Sequence, residues 1–173
     1  MKIAITGKMC SGKSFMANMI MQLDNSYNIY SYGQKIKDIA VDLFNMKNKN
    51  RSLIISIADD MKKKDPDVWA NYIMKQIQYK NNIIIDDLRF QNELDLLSNE
   101  WIIIRLNISN IEQRRRLKKL YSDNIDDHIN NIEHLSEKNE LTFGGKYRIV
   151  DIDTEKETYE QIRLKLFLLL TKR

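Results

Sequence analysis

Near its N-terminus the chain carries the stretch Gly7-Lys8-Met9-Cys10-Ser11-Gly12-Lys13-Ser14. This stretch fits the pattern G-x-x-x-x-G-K-[ST], in which a glycine-rich loop wraps closely around phosphate groups and points its backbone N–H groups at them. The pattern is meaningful only with a strand before the loop and a helix after it. Both are predicted here, because an apolar run precedes the loop and apolar residues follow it at helical spacing.

All eight residues of this loop are therefore predicted to bind the phosphates of a nucleoside triphosphate. The helix that begins near Lys13 directs its positive end at the anion. Lys13 would reach the β- and γ-phosphates, and Ser14 would help to hold Mg²⁺. The alternative interpretation is an ordinary turn that contains glycine.

Length and composition limit the class of protein. A chain of 173 residues has the size of one domain with one core. The net charge of +4 and the pI of 9.0 favour anionic ligands. Cys10 is the only cysteine, so an internal disulfide is impossible and a reducing compartment is the simpler inference. Without a recognisable signal sequence or an apolar run that could span a bilayer, we expect a soluble, cytoplasmic protein.

Apolar segments alternate with segments of helical periodicity along the chain. The apolar segments are predicted strands at residues 3–5, 27–32, 82–86, 101–106 and 147–152. This alternation predicts an α/β fold with a mostly parallel sheet covered by helices. Ser109 with Glu112 is predicted to cap a basic helix at 111–121, and Thr154 with Glu157 to cap the C-terminal helix.

In open α/β sheets, ligands bind beyond the carboxyl ends of the strands, which places residues 86–93 beside the loop. Asp86 and Asp87 end a buried strand, and one of them is predicted to hold Mg²⁺ or to accept a proton from the attacking phosphate. Side chains alternate along a regular strand, so only one of the two should face the site. The alternative is a carboxylate that caps the following helix or pairs with a lysine. Arg89 could clamp a substrate phosphate, or could be a simple surface arginine.

Three further features of the sequence allow two interpretations each. The triplet Arg114-Arg115-Arg116, followed by a polar segment, is typical of a mobile lid over the triphosphate, and we assign Arg115 to catalysis; a solvated helix face is the alternative. Trp69 follows the spacing of a core helix residue but could line a substrate pocket. His128 and His134 have no companions at the spacing of metal ligands and are not predicted to bind zinc.

Several segments together resemble the deoxynucleoside monophosphate kinases of large DNA viruses and phages, a branch of the P-loop nucleoside monophosphate kinase superfamily. Besides the loop, residues 31–40 resemble F-A-D-P-L-K-x-x-A, residues 65–69 match, and residues 85–93 resemble I-S-D-V-R-F-P-N-E, all in family order. The last pattern is matched position by position at Asp87, Arg89, Phe90, Asn92 and Glu93.

The chain also departs from the family pattern. Its departures are Gln34 and Lys35 in place of Asp and Pro, and Gln91 in place of Pro. The family's D-H-x-S-E is only partly present at residues 127–131. These departures leave the preferred base and the role of the region around His128 open.

The resemblance implies a single P-loop kinase domain over residues 1–173, with a five-stranded parallel sheet, helices on both faces, a helical substrate-binding region and a lid-like segment at about 111–140. It implies transfer of the γ-phosphoryl group of ATP, with Mg²⁺, to the 5′-phosphate of a deoxynucleoside monophosphate. Lys37 and Arg89 would contact the acceptor phosphate, and Asp87 would lie beside it. The substrate-binding set would also include Trp69, Asn92 and Glu93.

The expected partners are therefore ATP and a deoxynucleoside monophosphate, with no stable nucleic-acid partner and no membrane. The resemblance is to viral enzymes; the expected location is the cytoplasm, which is the host cytoplasm if the protein is viral, and a homodimer is left open. Two alternatives remain. One is a P-loop kinase for another small phosphorylated acceptor, such as phosphomevalonate or dephospho-coenzyme A. The other is a nucleotide-switched regulatory or nucleic-acid-binding module, whose binding to DNA would depend strongly on salt.

Overall fold

The fold is built on one sheet of five parallel strands. The computed structural model describes residues 1–122, 125–132, 134 and 140–171. The strands are β1 (Lys2–Gly7), β2 (Asn28–Tyr30), β3 (Ile83–Leu88), β4 (Trp101–Asn107) and β5 (Arg148–Asp153). Their order across the sheet is β2-β3-β1-β4-β5, and every neighbouring pair is parallel. The predicted α/β fold with a parallel sheet is confirmed.

Helices connect successive strands and cover the sheet. They are α1 (Lys13–Leu23), α2 (Tyr32–Phe44), α3 (Arg51–Lys64), α4 (Val68–Ile77), α5 (Gln91–Asp95), α6 (Asn110–Leu120), α7 (Ile125–Asn130) and α8 (Tyr159–Thr171). Three of them, α2, α3 and α4, follow one another between β2 and β3 and form a helical lobe beside the sheet. Among the described residues, no helix has both the length and the apolar character needed to cross a membrane.

The central strands are apolar because both of their faces are buried, as is usual for parallel sheets. The triplet Ile83-Ile84-Ile85 of β3 shows this best, since Ile84 packs with α1 and α8 on one face while Ile83 and Ile85 pack with α4 on the other. A third cluster lies within the helical lobe, where Trp69 of α4 packs against residues of α2 and α3. This third cluster forms one wall of the site described below.

The pairing of β3 with β1 contains a bulge. Ala4 pairs with Ile85 and Thr6 pairs with Leu88, so two residues of β3, Asp86 and Asp87, lie opposite a single residue of β1. A bulge of this kind interrupts the alternation of side chains and re-aims them. The prediction that only one of the two aspartates can face the site assumed a regular strand, and the bulge removes that assumption.

The start of one helix differs from the one predicted. The C-terminal helix begins at Tyr159, and its cap is Thr158, four residues after the predicted cap. Thr158 and Gln161 cap it through reciprocal bonds of 3.3 and 2.8 Å between side chain and backbone N–H. Thr154 contacts Arg116 instead, so its predicted capping role is wrong. At α6, Ser109 accepts from the N–H of Glu112 as predicted.

Candidate active site

The loop between β1 and α1 is shaped by three residues with positive φ. Gly7 has φ 145°, Cys10 has φ 62° and Gly12 has φ 99°. At Gly7 the absence of a side chain is required by space as well, because a Cβ there would lie 2.7 Å from the carbonyl oxygen of Leu106. At Gly12, which precedes α1, the left-handed backbone is what glycine adopts without strain. The glycines of the sequence pattern therefore determine the path of the loop.

The side chain of Lys13 points into this loop. Its ammonium group donates to the carbonyl oxygens of Gly7 at 2.6 Å and of Lys8 at 2.8 Å, and the residue is buried. The hydroxyl of Ser11 is also buried, and it has no hydrogen-bond partner within the described part of the chain. A buried ammonium group and an unpaired hydroxyl at the start of a helix are groups that an anion would satisfy.

Ser14 connects α1 to the end of β3. Its hydroxyl donates a hydrogen bond of 3.0 Å to Oδ2 of Asp86, whose Oδ1 is buried without a partner among the described residues. Burial and the neighbouring charge of Asp87 raise the pKa of Asp86, while the bond from Ser14 and the charge of Lys37 act in the opposite direction. Two adjacent oxygen ligands with an unsatisfied carboxylate oxygen fit the preference of Mg²⁺ for hard oxygen donors.

Asp87 binds the first turn of α2. Its Oδ1 accepts from the backbone N–H of Tyr32 at 2.7 Å, and its Oδ2 accepts from the N–H of Gly33 at 2.8 Å and from the hydroxyl of Ser31 at 2.6 Å. A carboxylate from the sheet thus caps a helix that begins 55 residues earlier. The sequence analysis considered a carboxylate cap only for the helix that follows β3, so the cap on α2 was not predicted. Asp86 and Asp87 both line the same cavity.

A cavity of about 350 Å³ extends from the loop into the helical lobe. Among the described residues, its charged lining comprises six cationic side chains, Lys13, Lys37, Lys49, Arg51, Lys62 and Arg89, and four acidic ones, Asp59, Asp86, Asp87 and Glu93. Its aromatic lining comprises Phe15, Tyr32, Trp69, Phe90 and Tyr121. The cavity therefore offers a cationic, aromatic space next to the phosphate-binding loop.

Glu93 is buried at the far side of this cavity. Its Oε2 accepts from the backbone N–H groups of Arg89 at 2.8 Å and of Phe90 at 3.0 Å, which holds the turn between β3 and α5. Burial raises the pKa of Glu93 to about 7, even though these two hydrogen bonds act to lower it. The ammonium group of Lys62 lies 3.4 Å from the centre of the Phe90 ring, and burial lowers the pKa of Lys62.

The remaining predicted substrate-binding residues have different surroundings. Lys37 lines the cavity from α2. Trp69 packs in the core of the helical lobe and donates to the carbonyl of Ala58 at 3.1 Å, and it also lines the cavity. Asn92 is not part of the cavity wall, because its amide donates to Asp67 at 2.7 Å and to the carbonyl of Pro66 and so holds the start of α4.

Of the three arginines of α6, the one that reaches the loop is Arg116. Its guanidinium donates to the carbonyl oxygen of Cys10 at 3.3 Å and to Thr154 at 2.6 Å. Arg115 is largely exposed and pairs with Glu112, and it does not line the cavity. Arg114 lines a separate groove on the other side of the loop.

The two histidines lie in different environments. His128 is fully buried and stacks on Tyr121 with ring centres 3.8 Å apart. Nε2 of His134 lies 3.2 Å from Asp59 at the cavity. Among the residues that the structure describes, no three histidine, cysteine or acidic side chains form a group that could hold a metal ion.

Sequence reasoning missed several cations of the cavity. Lys49, Arg51 and Lys62 belong to no motif, and the periodicity of α3 shows which face is apolar without showing what that face approaches. Nothing in the sequence places α3 opposite the loop. These residues become visible only when the helical lobe is assembled.

Comparison with known proteins adds a family. The model of the AAA domain family matches residues 3–141. The chain belongs to the AAA domain family. No curated protein sequence matches this AAA domain protein.

Solved structures show the same fold at low sequence identity. A gluconokinase from Sinorhizobium meliloti 1021 superimposes with a TM-score of 0.59 at 13% identity, over 99% of this chain and 91% of that one. A deoxyadenosine kinase from M. mycoides, solved with the products dCMP and dCDP, gives 0.56 at 18% identity over 99% and 100%. A shikimate kinase from Aquifex aeolicus gives 0.51 at 19% identity over 99% and 97%. This AAA domain protein therefore has the fold of the P-loop kinases.

Proposed function

We propose that the protein is a kinase that transfers the γ-phosphoryl group of ATP to the 5′-phosphate of a deoxynucleoside monophosphate, which yields two diphosphates. The observation that carries this proposal is the cavity that opens from the phosphate-binding loop and is lined by cations and aromatic rings. Phosphoryl transfer asks a protein mainly to position two anions and to surround the moving group with positive charge. A domain over residues 1–173 would supply both sites.

In this proposal the loop of residues 7–14 binds the triphosphate. Lys13 would exchange its bonds to the carbonyls of Gly7 and Lys8 for bonds to phosphate oxygens. Ser14 and Asp86 would hold Mg²⁺, whose two positive charges would neutralise the donor phosphates. Arg116, already bonded to the loop at Cys10, would take the role that the sequence analysis gave to Arg115.

The acceptor would occupy the part of the cavity within the helical lobe. Lys37 and Arg89 line it and would contact the acceptor phosphate, and Glu93 holds the turn that carries Arg89. Asp87 would act by fixing the start of α2 and so the position of Lys37. Trp69 and Phe90 would provide apolar surface for a planar base.

The excess of cations in the cavity supports a phosphorylated acceptor over a neutral one. A neutral sugar or nucleoside would leave this positive charge uncompensated, and like charges held together are unfavourable. Among proteins with a similar fold, the deoxyadenosine kinase binds dCMP and dCDP as products. That observation supports deoxynucleotide chemistry on this fold, while the family resemblance of residues 85–93 supports the monophosphate as acceptor.

The decisive experiment is transfer of labelled γ-phosphate from ATP to a panel of acceptors. The panel contains dAMP, dCMP, dGMP, dTMP and dUMP, with phosphomevalonate, dephospho-coenzyme A, deoxyadenosine, shikimate and gluconate as competing classes. We expect labelled diphosphate from at least one deoxynucleotide and no product from deoxyadenosine, the neutral acceptor of the panel. Absence of product with all five deoxynucleotides would overturn the proposal, and product from another member would identify the correct class.

The regulatory alternative is separated by a gel shift with duplex DNA at two salt concentrations. A nucleic-acid-binding module should bind DNA strongly at low salt and much more weakly at physiological salt. A kinase for mononucleotides should show little affinity at physiological salt. Tight DNA binding combined with an inactive acceptor panel would favour the alternative.

A further inference from the structure

The first turn of α3 receives a cap from a residue far away in the chain. The carboxylate of Asp127, in α7, accepts from the backbone N–H of Arg51 at 2.6 Å and of Ser52 at 3.2 Å, and it also binds the Ser52 hydroxyl. Asn50 supplies the rest of the cap. Its side-chain oxygen accepts from the N–H of Leu53, and its backbone carbonyl accepts from the N–H of Ile54. The N–H groups of Arg51, Ser52 and Leu53 at the start of α3 are thereby satisfied, and the N–H of Ile54 makes the first bond within the helix.

In this cap a local residue, Asn50, and a distant residue, Asp127, bind different N–H groups of the helix start. A single neighbouring side chain normally satisfies one of the free N–H groups at a helix start. Here Asp127 takes the first two of them from 76 and 75 residues away. Although burial acts to raise the pKa of Asp127, the hydrogen bonds from Ser52 and Arg51 lower it, so the carboxylate is ionised and favourable at the positive end of the helix.

The helix that Asp127 caps carries part of the acceptor cavity. Arg51 lies in the capped turn and lines the cavity, as does Lys49 just before it. The ammonium group of Lys49 donates to the Tyr121 hydroxyl at 3.0 Å, directly after α6. The end of α6 and the start of α7 therefore hold the N-terminal end of α3 from outside the helical lobe.

The other end of this connection is the phosphate-binding loop. The amide of Gln113 in α6 donates to the carbonyl of Met9 at 3.1 Å in a buried bond, and Arg116 donates to the carbonyl of Cys10. The α6–α7 pair thus contacts the phosphate-binding loop at one end and the start of α3 at the other. Both ends are polar contacts whose geometry changes if the pair moves.

We infer that Asp127 is a positioning residue that couples occupancy of the phosphate-binding loop to the arrangement of the acceptor cavity. A triphosphate in the loop would stabilise the contacts that α6 already makes with Met9 and Cys10. Through α7 it would also stabilise the contact of Asp127 with the first turn of α3. The cations of that turn are then fixed for the second substrate. This inference rests on the proposed function, and it adds a coupling between the two substrates that the P-loop alone does not provide.

Hydrogen exchange tests the inference without knowledge of the acceptor. The amides of Arg51 and Ser52 are the groups that Asp127 binds, so their exchange is measured before and after addition of the non-hydrolysable ATP analogue AMP-PNP with Mg²⁺. We expect the analogue to slow exchange in the peptide that spans residues 49–55 by about fivefold in the wild type. In Asp127→Ala the analogue should produce no slowing, and in Asp127→Asn, which keeps an acceptor oxygen, an intermediate slowing.

Asp126→Ala is the matched control, because Asp126 is an exposed carboxylate in the same helix. It should behave like the wild type. Binding of AMP-PNP without any change in the exchange of residues 49–55 would overturn the inference and leave the proposed function intact. Failure of AMP-PNP to bind at all would instead overturn the proposed function.

Kinetics provides a second measurement on the acceptor that the panel identifies. Asp127→Ala should raise the acceptor KM about fivefold at saturating ATP and change kcat by less than about twofold, because it alters positioning and not charge at the transferred group. Ser52→Ala, which removes the partner hydroxyl, should move KM in the same direction. An equal loss in kcat and in kcat/KM would contradict a positioning role.

Discussion

The hydroxyl of Ser14 lies 3.0 Å from a carboxylate oxygen of Asp86, and this contact joins the start of α1 to the end of β3 at the mouth of the phosphate-binding loop. The second oxygen of Asp86 is buried and has no partner in the described part of the chain. In the proposed function this pair would supply two oxygen ligands to Mg²⁺, a cation that prefers oxygen ligands.

Asp86→Asn should lower Mg²⁺-dependent turnover at least about 100-fold, because the amide removes the ligand charge while keeping the side-chain shape. In the wild type, the Mg²⁺ concentration for half-maximal turnover should fall as the pH rises through the raised pKa of Asp86, since the cation binds the ionised carboxylate. Metal titrations at several pH values measure both effects. Asp95→Asn, at an exposed carboxylate of α5, is the control and should leave turnover unchanged.

Lys13→Ala should reduce turnover at least about 100-fold while the protein stays folded. The ammonium group donates to two carbonyl oxygens of the loop, and the alanine removes the positive charge that would meet the phosphates. Steady-state assays measure the loss, and circular dichroism with urea unfolding monitors the fold. Lys75→Ala, an exposed lysine on α4, should keep wild-type activity. Activity retained by Lys13→Ala would remove this lysine from the mechanism.

Glu93→Gln should change how stability depends on pH. The pKa of Glu93 is raised from 4.5 to about 7 in the folded protein, so between these values the folded state holds a proton that the unfolded state has lost. The free energy of unfolding contributed by this group is therefore fully present below pH 4.5 and is lost as the pH rises through 7, by about 3 kcal/mol in total. The glutamine keeps an acceptor for the two backbone N–H groups and cannot ionise.

Urea unfolding of the wild type and of Glu93→Gln at intervals between pH 4 and pH 8 measures this difference. The variant should become more stable relative to the wild type as the pH rises. Glu100→Gln, at an exposed glutamate that pairs with Lys2, is the matched control and should run parallel to the wild type. Parallel curves for Glu93→Gln would show that Glu93 does not hold a proton near neutral pH.

The two tryptophans allow occupancy of the acceptor cavity to be observed directly. Trp69 lines the cavity, whereas Trp101 is buried in the sheet and lies outside the cavity wall. Trp101→Phe, with Trp69 as the remaining reporter, should show a saturable change in fluorescence when the acceptor is added. Trp69→Phe should show no such change. The reverse pattern would place the acceptor away from the helical lobe.

The sequence was sufficient where function depends on local backbone chemistry. The glycines and the lysine of the loop form a continuous pattern whose spacing follows from the shape of a phosphate, and the strands of the sheet are apolar runs because both faces are covered. The carboxylates of β3 were located for the same reason, since the end of a buried parallel strand is a fixed point in such folds.

The remaining parts of the site depend on contacts between distant segments. No local sequence pattern predicts that Asp127 caps α3, because its carboxylate and the backbone N–H of Arg51 are 76 residues apart in the chain. Thr154 was predicted to cap the next helix on spacing alone. In the structure its hydroxyl and its carbonyl oxygen each accept a hydrogen bond from Arg116. The bulge at Asp86 and Asp87 is a property of the pairing between β3 and β1 and cannot be read from β3 by itself.

Because of that bulge, the arrangement of the two aspartates depends on the number of residues between Ile85 and Leu88. Deletion of either aspartate would restore regular alternation between Ile85 and Leu88. Only one carboxylate would then remain for the contacts with Ser14 and with the start of α2. The protein would then retain either the proposed ligand for Mg²⁺ or the anchor for α2, and it would lose the other. Spacing at this point of the backbone is therefore as much a determinant of the chemistry as the identity of the side chains.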